Sequence, residues 1–568
     1  MQRRWCFWSL LVTAPLALAQ MPDATEPLLA RVPADAALVV VIPSVEKLLA
    51  GAAAFGQGIG AEDLAKLNPR ALLEKLDDAT ALDGLDIDGP CTWAQVPNQA
   101  GPVILCRLKD ADAWKQASHA RELEDGLLAV RFLGESNYAA IRNDVLVLAE
   151  EREIVQGALA ADGKFAARFR AAAGTHLAKC QVVAYADLTA WRPVVDGALT
   201  ALGMYLQMST AMSCPAEESS GQLSRWAVGE LGKLLREVGA CTGGLRVDAD
   251  GVFAEGTASF RPDGSVAGYL KNVRRTERAL LRGLLDQDPF LVLACEWEVP
   301  RGTKSLNTRL LEGLLASDAI KDRIGAAAFE KAMKASAAAH DAMTGFNVVL
   351  SASPRGEGVL ISGLYFTDSP KTVTESMAEV YRISPEFANP FGAGPKVEIT
   401  TRTERIDGTD VQAFDMVFQT EDEQLKRLLQ TVYGKITTVY SAARDADVVY
   451  ATGATEPARA QLAKLLAGQG GQLAENRRAI AAGKTLSPNP QVFVVIDVLR
   501  LVEFALGIAR STGAPVPPLE LGEKTASHVV CGAYLEPERI RVELFVPAEP
   551  VRVLRECARA AKKSAGKD

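Results

Sequence analysis

Apolar and polar residues along this chain predict strands broken by helices, in an order that is run through twice. The first round opens at Pro33-Ala34-Asp35, enters the strand Ala37 to Ile42 and turns into a helix at Ser44, a residue type that caps helices by accepting a backbone N–H. Apolar runs at Val103 to Leu108, Leu127 to Phe132, Tyr138 to Ile141 and Val145 to Ala149 read as further strands, the last leading into a short helix with Glu151 and Glu153 in its first turn. The strand Val182 to Ala186 ends at Asp187, which is placed to cap a long helix. Asp250-Gly251 then turns a hairpin between Leu245 to Ala249 and Val252 to Phe260.

The second round follows an expected helix over Val273 to Leu285 and opens with Phe290 to Trp297. Val348 to Ser353 and Val359 to Phe366 form a hairpin that passes into a helix at Asp368-Ser369-Pro370, where proline suits a first helical turn. Val397 to Ile406 pairs with Val411 to Phe418, and Val448 to Thr452 runs through Glu456-Pro457 into a helix, as Val145 to Glu153 does in the first round. Val492 to Ile496 ends at Asp497, matching the strand that ends at Asp187, and the hairpin Val529 to Leu535 with Ile540 to Val546 closes the round. Helices are also expected over Glu62 to Leu76, Leu306 to Leu315, Ala326 to Ala342 and Val194 to Met212, the last as a packed helix. The fold class expected is α+β, as two tandem, similar units of mostly antiparallel sheet packed with helices. The expected boundaries are 33–285 and 286–558, with a linker over 20–32 and a basic, disordered tail over 559–568.

The first 19 residues join Arg3-Arg4 to the apolar run Trp5 to Ala19, ending in Ala17-Leu18-Ala19. These are the parts of a secretory signal peptide, so the chain is expected to be exported to the periplasm or beyond, without a transmembrane helix once the signal is removed. The net charge of −8 falls to −10 when the signal leaves, with 60 basic residues against 70 acidic, which excludes the basic face a nucleic-acid partner requires. Export also makes the cysteines informative. Cys91 and Cys106 flank an expected hairpin and could bridge across its two strands; Cys214 and Cys241 bracket a helical stretch and are a second possible pair. The alternative for Cys106, Cys295 and Cys531 is a buried thiol acting as a small hydrophobe.

Catalytic motifs are incomplete. Ser44-Val45-Glu46-Lys47 has the Ser-x-x-Lys spacing of penicillin-recognising enzymes, and Ser305-Leu306-Asn307 imitates a second element. Lys484-Thr485-Leu486 and Lys524-Thr525-Ala526, however, lack the glycine of the third. Gly483-Lys484-Thr485 resembles the end of a P-loop, yet Arg478 stands where its first glycine belongs, and Gly56, Gly58 and Gly60 follow a helix and no strand. Asp83, Asp86 and Asp88 suit an aspartate-rich turn, since Ala94 occupies the position where a calcium loop needs glutamate. His119, His176, His340 and His528 have no His or Cys at ligand spacing, so neither a metal nor another cofactor is expected.

The Pro33-Ala34-Asp35 opening, the Val145 to Glu153 step and the strand ending at Asp187 resemble a family of exported bacterial proteins known only as domains of unknown function. The resemblance implies the architecture and the address, and no catalytic residue. The expected function is that of a non-enzymatic binding or scaffold protein of the cell envelope, whose partner is an envelope protein. The alternatives are a carrier of a lipid or other apolar ligand, and a hydrolase with dispersed catalytic residues.

Overall fold

A computed structural model describes residues 25–564, apart from 62–63, 65–82, 100, 124, 133–134, 174–178, 214–217, 274–278, 287, 297–325, 354–357, 388–395, 471–472, 474–484 and 512–527. The signal segment, the helices expected at Glu62 to Leu76 and Leu306 to Leu315, Cys214, His176 and the Gly483-Lys484 pair lie outside the described residues. The fold is mixed α+β, and every described strand pairing within its two compact units is antiparallel.

The first unit comprises Met1–Val195, Val238–Arg261 and Arg539–Arg555. Its strands in chain order are β1 (Leu38–Ile42), β2 (Cys91–Gln95), β3 (Val103–Arg107), β4 (Arg121–Glu122), β5 (Leu128–Phe132), β6 (Glu135–Arg142), β7 (Val145–Ala149), β8 (Val182–Asp187), β9 (Val238–Val247) and β10 (Gly251–Phe260). They hydrogen-bond in the order β4-β5-β6-β7-β3-β2-β1-β8-β9-β10. Helices α1 (Glu26–Leu29), α2 (Val45–Gly58), α3 (Ala111–Ala117), α4 (Arg152–Leu159) and α5 (Lys164–Ala173) complete its main body. Side chains alternate between sheet faces along each strand. One face carries Val39, Val41, Leu105, Val147 and Val183 and is sealed by Leu28 and Leu29 of α1, Ile154 and Val155 of α4, and Phe165 and Phe169 of α5. The other is covered at its β5-β6-β7-β3 end by α3, whose Trp114 is fully buried against Leu128, Val130, Leu146 and Leu148.

The second unit comprises Asp196–Glu237, Pro262–Glu538 and Glu556–Asp568. Its strands are β11 (Leu291–Glu296), β12 (Met343–Ala352), β13 (Val359–Thr367), β14 (Lys396–Ile406), β15 (Thr409–Gln419), β16 (Thr437–Arg444), β17 (Asp447–Ala454), β18 (Val492–Asp497) and β19 (His528–Glu536). Their order is β14-β15-β16-β17-β13-β12-β11-β18-β19, which is the order of the first sheet counted from its own first strand. The registers coincide as well. Leu38 lies opposite Gln95 and Ala186, while Leu291 lies opposite Leu350 and Ile496. At the same step, Asp187 N donates to Ala37 O at 2.7 Å and Asp497 N to Phe290 O at 2.9 Å. One face of this sheet is covered at its β15-β16-β17 end by α6 (Pro370–Phe387), with Val373 against Val448 and Ala378 against Phe414 and Val439. The other is covered by α7 (Thr455–Leu466), through Ala458, Leu462 and Leu465.

The last strand, β20 (Arg539–Pro547), belongs to the first unit and pairs with β10 from Gly251↔Pro547 to Ser259↔Arg539. Residues 279–285, expected as the end of a helix, are turn and coil. Gly283 adopts φ +74°, a left-handed conformation that ends helical runs. The expected cap at Ser44 is made, its side chain accepting from Lys47 N at 3.1 Å. Asp497 likewise accepts from Arg500 N at 3.1 Å. Asp187 accepts from Thr189 N and Ala190 N, so it caps the turn that precedes the long helix beginning at Arg192.

Candidate functional site: an apolar sheet face

In the central strands of the second unit the usual relation between polarity and burial is reversed. The sealed face carries polar side chains: Glu296, Asn347, Ser351, Ser362 and Asp497 are all buried. The opposite face carries none that is charged, yet its residues are partly exposed. On β11 these are Leu291, Leu293 and Cys295, and on β12 Phe346, Val348 and Leu350. On β18 they are Val492, Val494 and Ile496, and on β19 Val529, Cys531 and Ala533. Register sets them side by side: Leu293 lies opposite Val348 and Val494, and Val494 opposite Cys531. With strands about 4.8 Å apart and same-face residues about 6.8 Å apart, these four strands present an apolar surface roughly 14 Å by 14 Å.

The sealed polar groups are tied down, which is why this face tolerates them. Asn347 Nδ2 donates to Leu280 O and Arg282 O at 3.1 and 2.9 Å, and its Oδ1 accepts from Leu364 N at 3.0 Å. Gln461 Nε2 donates to Ser362 Oγ at 3.0 Å, and Asp497 is ion-paired with Arg500 at 3.2 Å. Further along this face, Arg402 donates to Asp415 at 2.8 Å, to Tyr440 Oη at 3.0 Å and to Glu404. Its hydrogen bonds to Asp415, Tyr440 and Glu404 thus hold this guanidinium in its charged form. Towards the end covered by Pro370–Phe387, Tyr365 stacks on Tyr450 at 4.6 Å. There Gly363 leaves space for the Tyr450 hydroxyl, which donates to Asn347 O at 3.2 Å.

The first unit repeats this placement. Thr92, Thr242 and Glu255 are buried on the sealed face, while Leu38, Ile42, Trp93, Ala184, Ala186 and Leu245 are partly exposed on the other. Cys91 and Cys106 lie on this open face directly opposite one another, their sulfurs 3.1 Å apart. This contact lowers the Cys91 pKa and, with burial, raises that of Cys106.

The remaining sequence candidates have structural duties. Ser44 is occupied as a helix cap. Asp86 accepts from Gly89 N at 3.1 Å, in a turn, and lies 3.7 Å from Arg107. His119 sits in a left-handed turn at φ +52°, and His528 lies 3.7 Å from Asp497. The helix expected over Val194 to Met212 is present as Arg192–Ser213. Its Leu199 is buried, but Met204, Tyr205 and Met208 are more than 60% exposed, so it is not packed all round. Among the described residues, no three His, Cys, Asp or Glu side chains gather as a metal site, and no helix is long and apolar enough to cross a membrane. Comparisons with protein-family models, with curated proteins and with solved structures found no match. The arrangement therefore has to be read from its own chemistry. An uncharged, mostly apolar face can bury apolar surface of another molecule.

Proposed function

We propose that the chain is an exported, non-enzymatic binding protein of the cell envelope, built from two copies of one sheet plan. Each copy receives apolar surface of an envelope partner on its open sheet face. The duplication is supported by the shared strand order and by registers that coincide at Leu38 and Leu291. The binding reading is carried by one observation, the placement of charged and polar side chains on the sealed face and of uncharged, mostly apolar ones on the partly exposed face. Each 100 Å² of that face covered by a partner contributes about 2.5 kcal/mol.

Neighbouring residues on β12 provide the test. Val349 is 2% exposed on the sealed face, whereas Val348 is partly exposed on the open one. Val349→Asp is expected to unfold the second unit. Val348→Asp should keep a near-native thermal midpoint and lose most of the fluorescence of a bound amphipathic probe such as bis-ANS. Unfolding by both variants alike would overturn the reading, since the open face would then be closed core. Mass spectrometry of an organic extract of the purified protein separates the occupants, because a co-purifying lipid would make the chain a carrier. Export is tested by N-terminal sequencing of protein from the envelope fraction, with Gln20 expected first.

A further inference from the structure

We propose that Cys91 and Cys106 are a disulfide site, closed across β2 and β3 by exchange with a low-molecular-weight disulfide of the glutathione class. The first support is backbone geometry. Asp187 N donates to Ala37 O, so odd-numbered residues of β1 turn their backbone groups to β8 and even-numbered ones to β2. Ile42 thus bonds Cys91 across β1 and β2, and Cys91 turns its backbone away from β3. From the other side, Leu108 N donates to Asp144 O, which directs the backbone of Cys106 towards Leu146 of β7. Both routes make Cys91 and Cys106 a non-hydrogen-bonded pair, the kind whose Cα atoms stand about 4.5 Å apart, within the span a disulfide bridges.

The second support is the contact itself. The sulfurs are 3.1 Å apart and both residues are partly exposed, so a small disulfide can reach them and bond formation needs only a small approach. The contact with Cys106 lowers the Cys91 pKa and favours its thiolate, which makes Cys91 the readier attacking sulfur. In the first step the Cys91 thiolate attacks one sulfur of the external disulfide, forming a mixed disulfide and expelling one thiolate. Cys106 then loses its proton to water and attacks Cys91 Sγ, expelling the second thiolate. Two protein thiols are oxidised to one disulfide and the external disulfide is reduced to two thiols. This inference stands apart from the binding function, since the bridge can close whether or not the open face receives a partner.

The tryptic peptide 76–107 contains both cysteines and no internal Lys or Arg, so the bridge is read within a single peptide. Reduced full-length protein would be incubated with glutathione disulfide, alkylated after denaturation and digested. The expected peptide carries no alkyl group and is about 2 Da lighter than its reduced form, the mass of two hydrogens. The variant Cys106→Ser should stop at the mixed disulfide and carry one glutathione on Cys91. A wild-type peptide bearing two alkyl groups, or a stable glutathione adduct beside an alkylated thiol, would overturn the proposal. The wild-type readout decides it even if the variant fails to fold.

Discussion

Glu255 of β10 stands directly opposite Glu543 of β20, and both carboxylates are buried on the same sheet face. Like charges paired across strands destabilise a sheet, so a compensating cation is required. Arg541 supplies it: its guanidinium bonds Glu543 and lies 3.7 Å from Glu255. Removing one partner of a buried ionic group leaves uncompensated charge, which costs about 3–5 kcal/mol. Arg541→Met is therefore expected to lower stability by about that amount in urea unfolding. Adding Glu255→Gln and Glu543→Gln should restore most of the loss; no recovery would show that Arg541 acts through packing alone.

Asn347 is fully buried and satisfies two carbonyls and one N–H of neighbouring segments. Substituting Asn347→Ala strands all three, at about 1–3 kcal/mol for each buried group left without a partner. A loss of about 3 kcal/mol or more is expected in the same assay. Hydrogen exchange should rise first at Leu364, whose N–H loses its acceptor.

Asp415 sets an acid limit on the second unit. Burial pushes its carboxyl up, but hydrogen bonds from Arg402 and Thr438 outweigh it and hold the pKa below the ordinary 3.8. A depressed carboxylate contributes stability that is fully present above its unfolded value and is lost as pH falls through the folded one. Urea midpoints should therefore drop between about pH 5 and pH 3, and Asp415→Asn should flatten that drop. An identical slope in the variant would assign the acid sensitivity elsewhere.

The open-face thiols should differ sharply in reactivity. Burial, with a smaller contribution from the Glu296 charge, pushes Cys295 up to about 12. At pH 8 about one Cys295 in ten thousand is then thiolate, the reactive form. In reduced protein, iodoacetamide at that pH should label Cys91 well before Cys295, as read by peptide mass spectrometry. Equal rates would mean that Cys295 is far more open than its surroundings imply.

Local signals were legible where the chain itself makes the contact. The cap at Ser44, the strands ending at Asp187 and Asp497 and the Asp250-Gly251 hairpin follow from neighbours within a few residues. The spacing of Cys91 and Cys106 was readable as a hairpin, while the register that sets them opposite is a property of the sheet. The reversed face was not legible. Val292-Leu293 and Val348-Val349 are apolar on both sides of their strands, so alternation cannot say which side a helix seals. That choice depends on where Thr455–Leu466 and the 279–285 turns settle, which is decided by contacts far apart in sequence. The helical end expected over 279–285 fails for a related reason. Its carbonyls at Leu280 and Arg282 serve Asn347, a partner outside the local pattern.

The pairing of β10 with β20 also sets a timetable for synthesis. Glu255 leaves the ribosome about 290 residues before Glu543, a delay of roughly 15–60 s at 5–20 residues per second. Throughout that interval the edge of β10 carries a full row of backbone donors and acceptors open to any extended chain. The nascent protein is therefore most prone to aggregate in this window, and a chaperone that shields strand edges would act here. Termination before Arg539 would make the hazard permanent, so a truncated product should be recovered as aggregate even though most of both sheets had been made.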